Sequence, residues 1–315
     1  LDFAWWELVV RFAGAIGLLA VLGAEPLLAQ VVAPGVPTTT QGSRVPQQRD
    51  WQIGVGFAPI YSPVWQGSRD YSLSLFPDVR LNYRDLLFFS VPDGLGWNAV
   101  NKGGWKIGPL FKFRFGRNEG DGGSPFLITG GSDALIGMGD IGFAGEPGAF
   151  VQYGFAGRKA RARAEVRKGF GGHEGLVADT SISWSDRIGT PGAGGSTVGG
   201  PGRIWLYSLS ARATFAGADY TNSYFGVDAT QAAATGLAPF RTGDGLVSTG
   251  VNASLTKLVG RQGRYGAVTL FGGYDRLADV VAESTLITER GKRDQFSLGL
   301  SYGFRVGFGP KAGQP

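Results

Sequence analysis

The chain of 315 residues has no cysteine, one histidine and one methionine, and only 17% of its residues are charged. Without cysteine it has neither a disulfide framework nor a thiolate-based metal or redox centre. One histidine excludes a mechanism or metal site that needs two. The N-terminal apolar run Phe12–Ala24 (FAGAIGLLAVLGA) is thirteen residues long, short of the roughly 20 that a spanning helix takes. The net charge is a modest +5, with basic and acidic residues interleaved, so there is no nucleic-acid footprint.

What is present is glycine and aromatics. The 54 glycines are about 17% of the chain against a usual level of about 7%, and they show no three-residue period that would indicate collagen. Aromatics make up 12% and hydrophobic residues 43%, which excludes disorder. High glycine with high aromatic content and a mean hydropathy of −0.00 suits alternating strands better than helices, which glycine disfavours.

Residues 1–29 read as a cleaved secretory signal peptide: Arg11 precedes the apolar run, and cleavage falls after Ala29. Residues 30–50 are rich in Pro, Thr and Gln and read as a flexible segment. The remaining divisions are a barrel over 51–308 and a short tail over 309–315.

From Trp51 onward the chain alternates at period two. Trp51, Ile53, Val55, Phe57 and Tyr61 share one face, and Gln52, Gly54, Gly56 and Ala58 the other. The last strand is the sharpest: Phe296, Leu298, Leu300, Tyr302, Phe304, Val306 and Phe308 oppose Gln295, Ser297, Gly299, Ser301, Gly303, Arg305 and Gly307. Such a strand has one apolar wall and one polar wall. A soluble sandwich alternates in this way too, with its apolar side inward. Three features favour a membrane barrel. The strands run about ten residues or more, the length a tilted strand needs to cross a bilayer. Aromatics gather near strand ends, as an interfacial girdle requires. Finally, Lys159, Arg161, Arg163, Glu165 and Arg167 alternate with alanines and Val166. Five charges on one strand face need water, which a lumen supplies.

The expectation is therefore an all-β, closed antiparallel transmembrane barrel of 10–12 strands. Twelve are read at 51–61, 71–84, 86–98, 104–116, 143–157, 158–170, 174–185, 203–217, 221–228, 245–259, 264–275 and 293–308, with 221–228 the weakest. Tight turns are expected at Arg84-Asp85 and Gly157-Arg158, and exposed loops over 186–202 and 229–244.

The order of several short motifs resembles the MltA-interacting protein/OmpV family of Gram-negative outer-membrane proteins. They are Trp51-Gln-Ile-Gly-Val-Gly56, Pro59-Ile-Tyr61, Gln66–Tyr71, Pro77, Asn82–Asp85, Gly139-Asp140-Ile141, Gly148-Ala-Phe150, Tyr153, Gly172-His173-Glu-Gly175, Asp179, Asp219-Tyr220, Tyr224–Val227 and Ser301-Tyr-Gly-Phe304. The resemblance implies a barrel in outer-membrane lipid. It further implies a scaffold for cell-envelope proteins, with a murein transglycosylase and a murein synthase as partners. Outer-membrane barrels commonly end on a terminal aromatic that the assembly machinery reads, and the chain departs from that pattern, because Phe308 is followed by residues 309–315.

Little in the residues points to catalysis. His173 is the only histidine, and Asp179, Ser181 and Ser183 lie too far along its own strand to reach it, so it reads as a turn residue. The glycine-rich runs 117–124 and 192–196 lack the Gly-Lys-Ser/Thr ending of a phosphate loop. The expectation is a non-enzyme with no metal and no cofactor. The Lys159–Arg167 stripe leaves two readings open. It could favour anions in a small pore, or its cations could pair across strands inside a plugged barrel.

Overall fold

The alternation becomes twelve antiparallel strands in a computed structural model that describes residues 50–122, 125–189, 205–261 and 264–309. The expected signal peptide and nearly all of the flexible segment lie outside the described residues, as do residues 190–204 and 310–315. The strands are β1 (Trp51–Pro63), β2 (Tyr71–Tyr83), β3 (Leu87–Ser90), β4 (Gly94–Trp97), β5 (Trp105–Arg114) and β6 (Ala144–Phe155). They continue with β7 (Ala160–Lys168), β8 (Leu176–Ile188), β9 (Trp205–Ala216), β10 (Gly245–Arg261), β11 (Arg264–Leu277) and β12 (Asp294–Phe308). Each pairs with the next in chain order, and β12 returns to β1 with Trp51 opposite Phe308. Closure leaves neither β1 nor β12 as a free outer strand.

The barrel is apolar outside and polar inside. On β12, Phe296, Leu298 and Leu300 are 53%, 56% and 47% exposed, while the inward residues Asn252, Ser254 and Thr269 of β10 and β11 are 8%, 7% and 8% exposed. A soluble sandwich buries its apolar wall, so this inverted pattern decides against one. Two aromatic rims bound the outer band. Trp51 meets Tyr83 at 4.5 Å and Trp105 meets Tyr153 at 4.6 Å near the chain termini. At the other end, Tyr61 stacks on Tyr71 at 5.1 Å and Tyr274 lies 4.9 Å from Phe296. Ten residues separate Trp51 from Tyr61 on β1, about 33 Å of strand. Tilted at about 45°, that covers the roughly 25 Å apolar band of such barrels.

Twelve strands is the expected number, reached through two local differences. The stretch 86–98, read as one strand, is the short hairpin β3–β4, with Leu87 opposite Trp97 and Ser90 opposite Gly94. Asp93-Gly94 turns it: the Asp93 N–H donates to Ser90 Oγ at 3.0 Å, and Gly94 takes φ +73°, a left-handed conformation. The stretch 221–228, read as a strand, is instead the end of helix α1 (Ala218–Phe225) and the turn beyond it. Tyr220 with Tyr224 and Thr221 with Phe225 repeat at i, i+4, and all four are buried. Arg84 and Asp85, with φ of 50° and 56°, make the expected tight turn, and Ala156, Gly157 and Arg158 make the other.

Glycines on the inner face make room for inward aromatics. A Cβ on Gly299 would stand 2.3 Å from the Phe271 ring, and one on Gly96 would stand 2.1 Å from the Phe88 ring. Small and large residues thus alternate across the lumen.

The largest buried apolar cluster lies at the end away from the termini, where the long connections fold into a lid. It gathers Val64 and Trp65, Leu135 and Met138, Tyr220 and Phe225, Leu237, and Val281, Leu286 and Ile287, all resting on rim residues Val177, Ala216, Val247 and Leu277. The stretch 229–244, expected to be an exposed loop, is part of this lid. Asp228 and Gln231 form a reciprocal capping box that starts α2 (Ala229–Thr235), and Gly236 ends it at φ +76°. Two further short helices, α3 (Asp279–Ala282) and α4 (Thr285–Arg290), come from the β11–β12 connection.

Candidate functional site

The lid is fastened across loops. Arg290, at the end of α4, donates to the carbonyls of Thr235 at 2.6 Å and Ala134 at 3.1 Å. Gln231 of α2 donates to the Met138 carbonyl at 2.7 Å, and Thr285 to the Ala238 carbonyl at 2.7 Å. Gln295 at the start of β12 holds the β1–β2 loop through the Gly67 N–H at 3.0 Å and the Ser68 carbonyl at 3.1 Å. Three long connections and one short one are therefore tied together.

Beneath the lid lies a buried charge ladder. Glu146 of β6 accepts from Arg114 of β5, from Arg167 of β7 at 2.8 Å and from the His173 Nε2 at 2.9 Å. Arg167 also pairs with Glu165 and, at 2.6 Å, with Asp179 of β8, which accepts from Thr214 at 2.6 Å. Lys112 pairs with Glu165, and Arg163 reaches the same carboxylate at 3.1 Å while lying 4.2 Å from the Phe150 ring. On the opposite wall Arg212 pairs with Asp275. Pairing of this kind offsets the cost of taking these charges out of water.

The ladder meets the lid at His173, Tyr220 and Tyr224. Arg114 donates to the Tyr220 hydroxyl at 3.3 Å, which in turn donates to Gln66 at 3.3 Å. The two tyrosine rings lie 5.0 and 5.9 Å from His173. Gly175 carries no Cβ because one would stand 2.3 Å from the Tyr220 backbone nitrogen. Burial pushes the pKa of both phenols above the usual tyrosine value. It also lowers that of the enclosed Arg117, which holds the Tyr224 carbonyl at 2.8 Å, to about 10.

His173, expected at a simple turn, is buried at this junction. Gly175 donates to its Nδ1 at 3.3 Å, which places the proton on Nε2 toward Glu146. Both ring nitrogens are engaged in hydrogen bonds. Asp179, Ser181 and Ser183 do not join it.

The structure divides the Lys159–Arg167 stripe. Lys159 lies in the turn before β7 and pairs at the surface with Asp186 at 2.6 Å. Arg163, Glu165 and Arg167 belong to the ladder. Arg161 reaches Ser183 at 3.4 Å and feels the charge of Asp93, with no carboxylate at ion-pair distance among the described residues. The sequence reading missed Arg114, Glu146, Arg212, Asp275, Tyr220 and Tyr224. A lone Glu or Arg among small residues on the polar face of a strand was the available signal.

Toward the termini the lumen opens into a vestibule of about 330 Å³. Its wall carries Arg80, Lys102, Lys106, Arg158, Lys159, Arg161 and Arg305 against Asp85 and Asp93. A second cavity of about 280 Å³ lies between the vestibule and the lid, and shares Arg80, Asp93, Gln152, Arg161 and Ser183 with it. Among the described residues the lumen is a cup, open at one end and roofed at the other.

An apolar outer band between aromatic rims, a closed even-numbered sheet and a charged interior define a transmembrane β-barrel of the outer-membrane kind. The chain belongs to the family of MltA-interacting protein MipA, whose family model matches residues 55–306. No curated protein matches it. Among solved structures, the crystal structure of Pseudomonas aeruginosa OccK2 (OpdF) in complex with glucuronate aligns over 82% of this chain and 98% of that one, at 10% identity and a TM-score of 0.16. That likeness is too slight to carry an argument.

Proposed function

We propose that this barrel is a non-enzymatic docking protein of the Gram-negative outer membrane, holding murein-processing enzymes at the inner surface of that membrane. The observation that carries the reading is the lid: a barrel roofed by its largest apolar cluster is built to be a rigid platform rather than a conduit. The family name supports a murein transglycosylase as one partner, and a murein synthase is the second. Long loops of such barrels face outward and short turns face the periplasm. The termini and the vestibule then face the murein layer, with export through a cleaved signal peptide at 1–29. In this reading Arg163, Glu165 and Arg167 brace the wall, and Lys159 and Arg161 belong to the vestibule. Chemical crosslinking in intact envelopes is expected to recover a murein transglycosylase or synthase, and recovery of neither overturns the reading.

The cation excess of the vestibule favours a second reading, a small pore for anionic solutes. Planar-bilayer conductance separates the two: a silent barrel at high protein load removes the pore.

A further inference from the structure

The hairpin β3–β4 is too short to complete the barrel wall. Its strands have four residues each, whereas β2 has thirteen and β5 has ten. β3 covers β2 only from Arg80 to Tyr83, and β4 meets β5 only at Leu110 and Phe111. Higher on β2, residues Ser72 to Ser74 pair with a separate short strand, Leu127–Gly130, and the Leu75 N–H donates to the Phe126 carbonyl at 2.8 Å. Between these two patches, Phe76 to Val79 have no ladder partner on that edge among the described residues. Lys112 to Arg114 have none on the facing edge of β5. Among the described residues the wall therefore has a gap between β2 and β5, with the tip of the hairpin as its sill.

The gap is consistent with its own sequence. Backbone groups on a strand point alternately to its two neighbours. Since Leu75 points toward the gap, Pro77 does too, and proline has no N–H to leave unpaired. The gap also sits between the two aromatic rims, at the depth of the hydrocarbon. Phenylalanines frame it: Phe76 lies 5.2 Å from Phe126, Phe126 lies 6.2 Å from Phe115, and Phe113 lies 6.0 Å from Phe143. The cavity beneath the lid reaches it, because its lining takes Phe76 and Pro77 from one edge, Phe113 and Phe115 from the other and Val91 and Pro92 from the sill. Arg161, with Ser183 as its polar contact, lines the same cavity.

We propose that this gap is a lateral entrance through which the acyl chain of an anionic single-chain amphiphile passes from the bilayer into the lumen. Hydrocarbon is the solvent at that depth, so the occupant must present hydrocarbon to the phenylalanine frame. An acidic head then finds the guanidinium of Arg161, which Asp93 attracts without a hydrogen bond to it, toward the vestibule. A free fatty acid and a lysophospholipid share this chemistry. The inference is independent of the docking reading, since it concerns lipid inside the barrel rather than protein at its rim.

The test is photolabelling of the purified full barrel in phospholipid nanodiscs with two probes, a diazirine-bearing palmitic acid and a diazirine-bearing lysophosphatidylglycerol. The expected result is crosslinks to inward residues of the cavity, Phe76 and Phe271, alongside those to the outer wall. Ala58→Trp, which fills the cavity from β1, is expected to reduce the inward crosslinks at least fivefold and leave those at Leu298 and Leu300 unchanged. Ser181→Trp fills the cavity from the opposite wall and serves if the first variant does not fold. Inward labelling by one probe alone supports the entrance and names the source of the chain. Labelling confined to the outer wall with both probes, or inward labelling that neither tryptophan reduces, overturns the proposal.

Discussion

Glu146→Gln tests whether the ladder holds the barrel together. The Glu146 side chain is 1% exposed and accepts from three groups, Arg114, Arg167 and His173. Arg167 has Glu165 and Asp179 in reserve. Among the described residues Arg114 then has only the Tyr220 hydroxyl at 3.3 Å and the face of that ring at 5.0 Å. Removing the carboxylate therefore strands one guanidinium between β5 and the lid. Breaking a buried pair from one side costs about 3–5 kcal/mol. Asp179→Asn is the internal comparison: its side chain is 31% exposed and Arg167 keeps two carboxylates, so a loss of about 1 kcal/mol is expected. Adding Arg114→Met to Glu146→Gln removes the stranded charge and is expected to recover part of the loss. The assay is urea unfolding in detergent, read as the fraction of barrel that keeps its compact, unheated gel mobility. If Glu146→Gln costs less than about 1 kcal/mol, or Asp179→Asn costs as much as Glu146→Gln, the reasoning from burial and pairing fails.

Three other outcomes follow from the packing. Leu286 is fully buried in the lid, so Leu286→Ala is expected to destabilise it by about 2–5 kcal/mol, seen as faster proteolysis of 217–244 with the barrel band intact. Burial raises the Tyr220 and Tyr224 phenols, so the lid keeps its full stability below the unfolded value of about 10 and loses it as pH climbs through the folded values. Hydrogen exchange of the lid at pH 9 and pH 11 should show that loss, and Tyr224→Phe should lessen it. Gly299→Ala drives a methyl into the Phe271 ring and is expected to cost about 1–3 kcal/mol by overpacking, measured by the same urea titration.

The barrel wall was legible because each strand side meets a different solvent. The alternation over 296–308 needs no knowledge of partners, and the turns at Arg84-Asp85 and Gly157-Arg158 fall where the pattern breaks. The hairpin at 86–98 was hidden because Leu87, Phe89, Leu95 and Trp97 keep one parity across the turn, although Asp93-Gly94 marks it. The helix at 218–225 was hidden because eight residues are too few for a helical period to stand out, and its stability comes from the rim it packs on. The ladder was half legible. Arg161 to Arg167 stand out as a run on one strand, whereas Glu146, Arg114 and Asp275 are single residues on separate strands that only closure brings together.

The absence of cysteine permits a direct test of which wall meets lipid, since any single cysteine introduced is the only thiol. Spin labels placed one at a time along β12 in liposomes, at Leu298→Cys, Gly299→Cys, Leu300→Cys, Ser301→Cys and Tyr302→Cys, report collision with oxygen from the bilayer and with a water-soluble nickel complex. The expected result is an alternation of period two, with oxygen contact high at 298, 300 and 302 and low at 299 and 301. Uniform nickel contact along the strand, or the opposite alternation, would contradict a barrel whose apolar wall faces lipid.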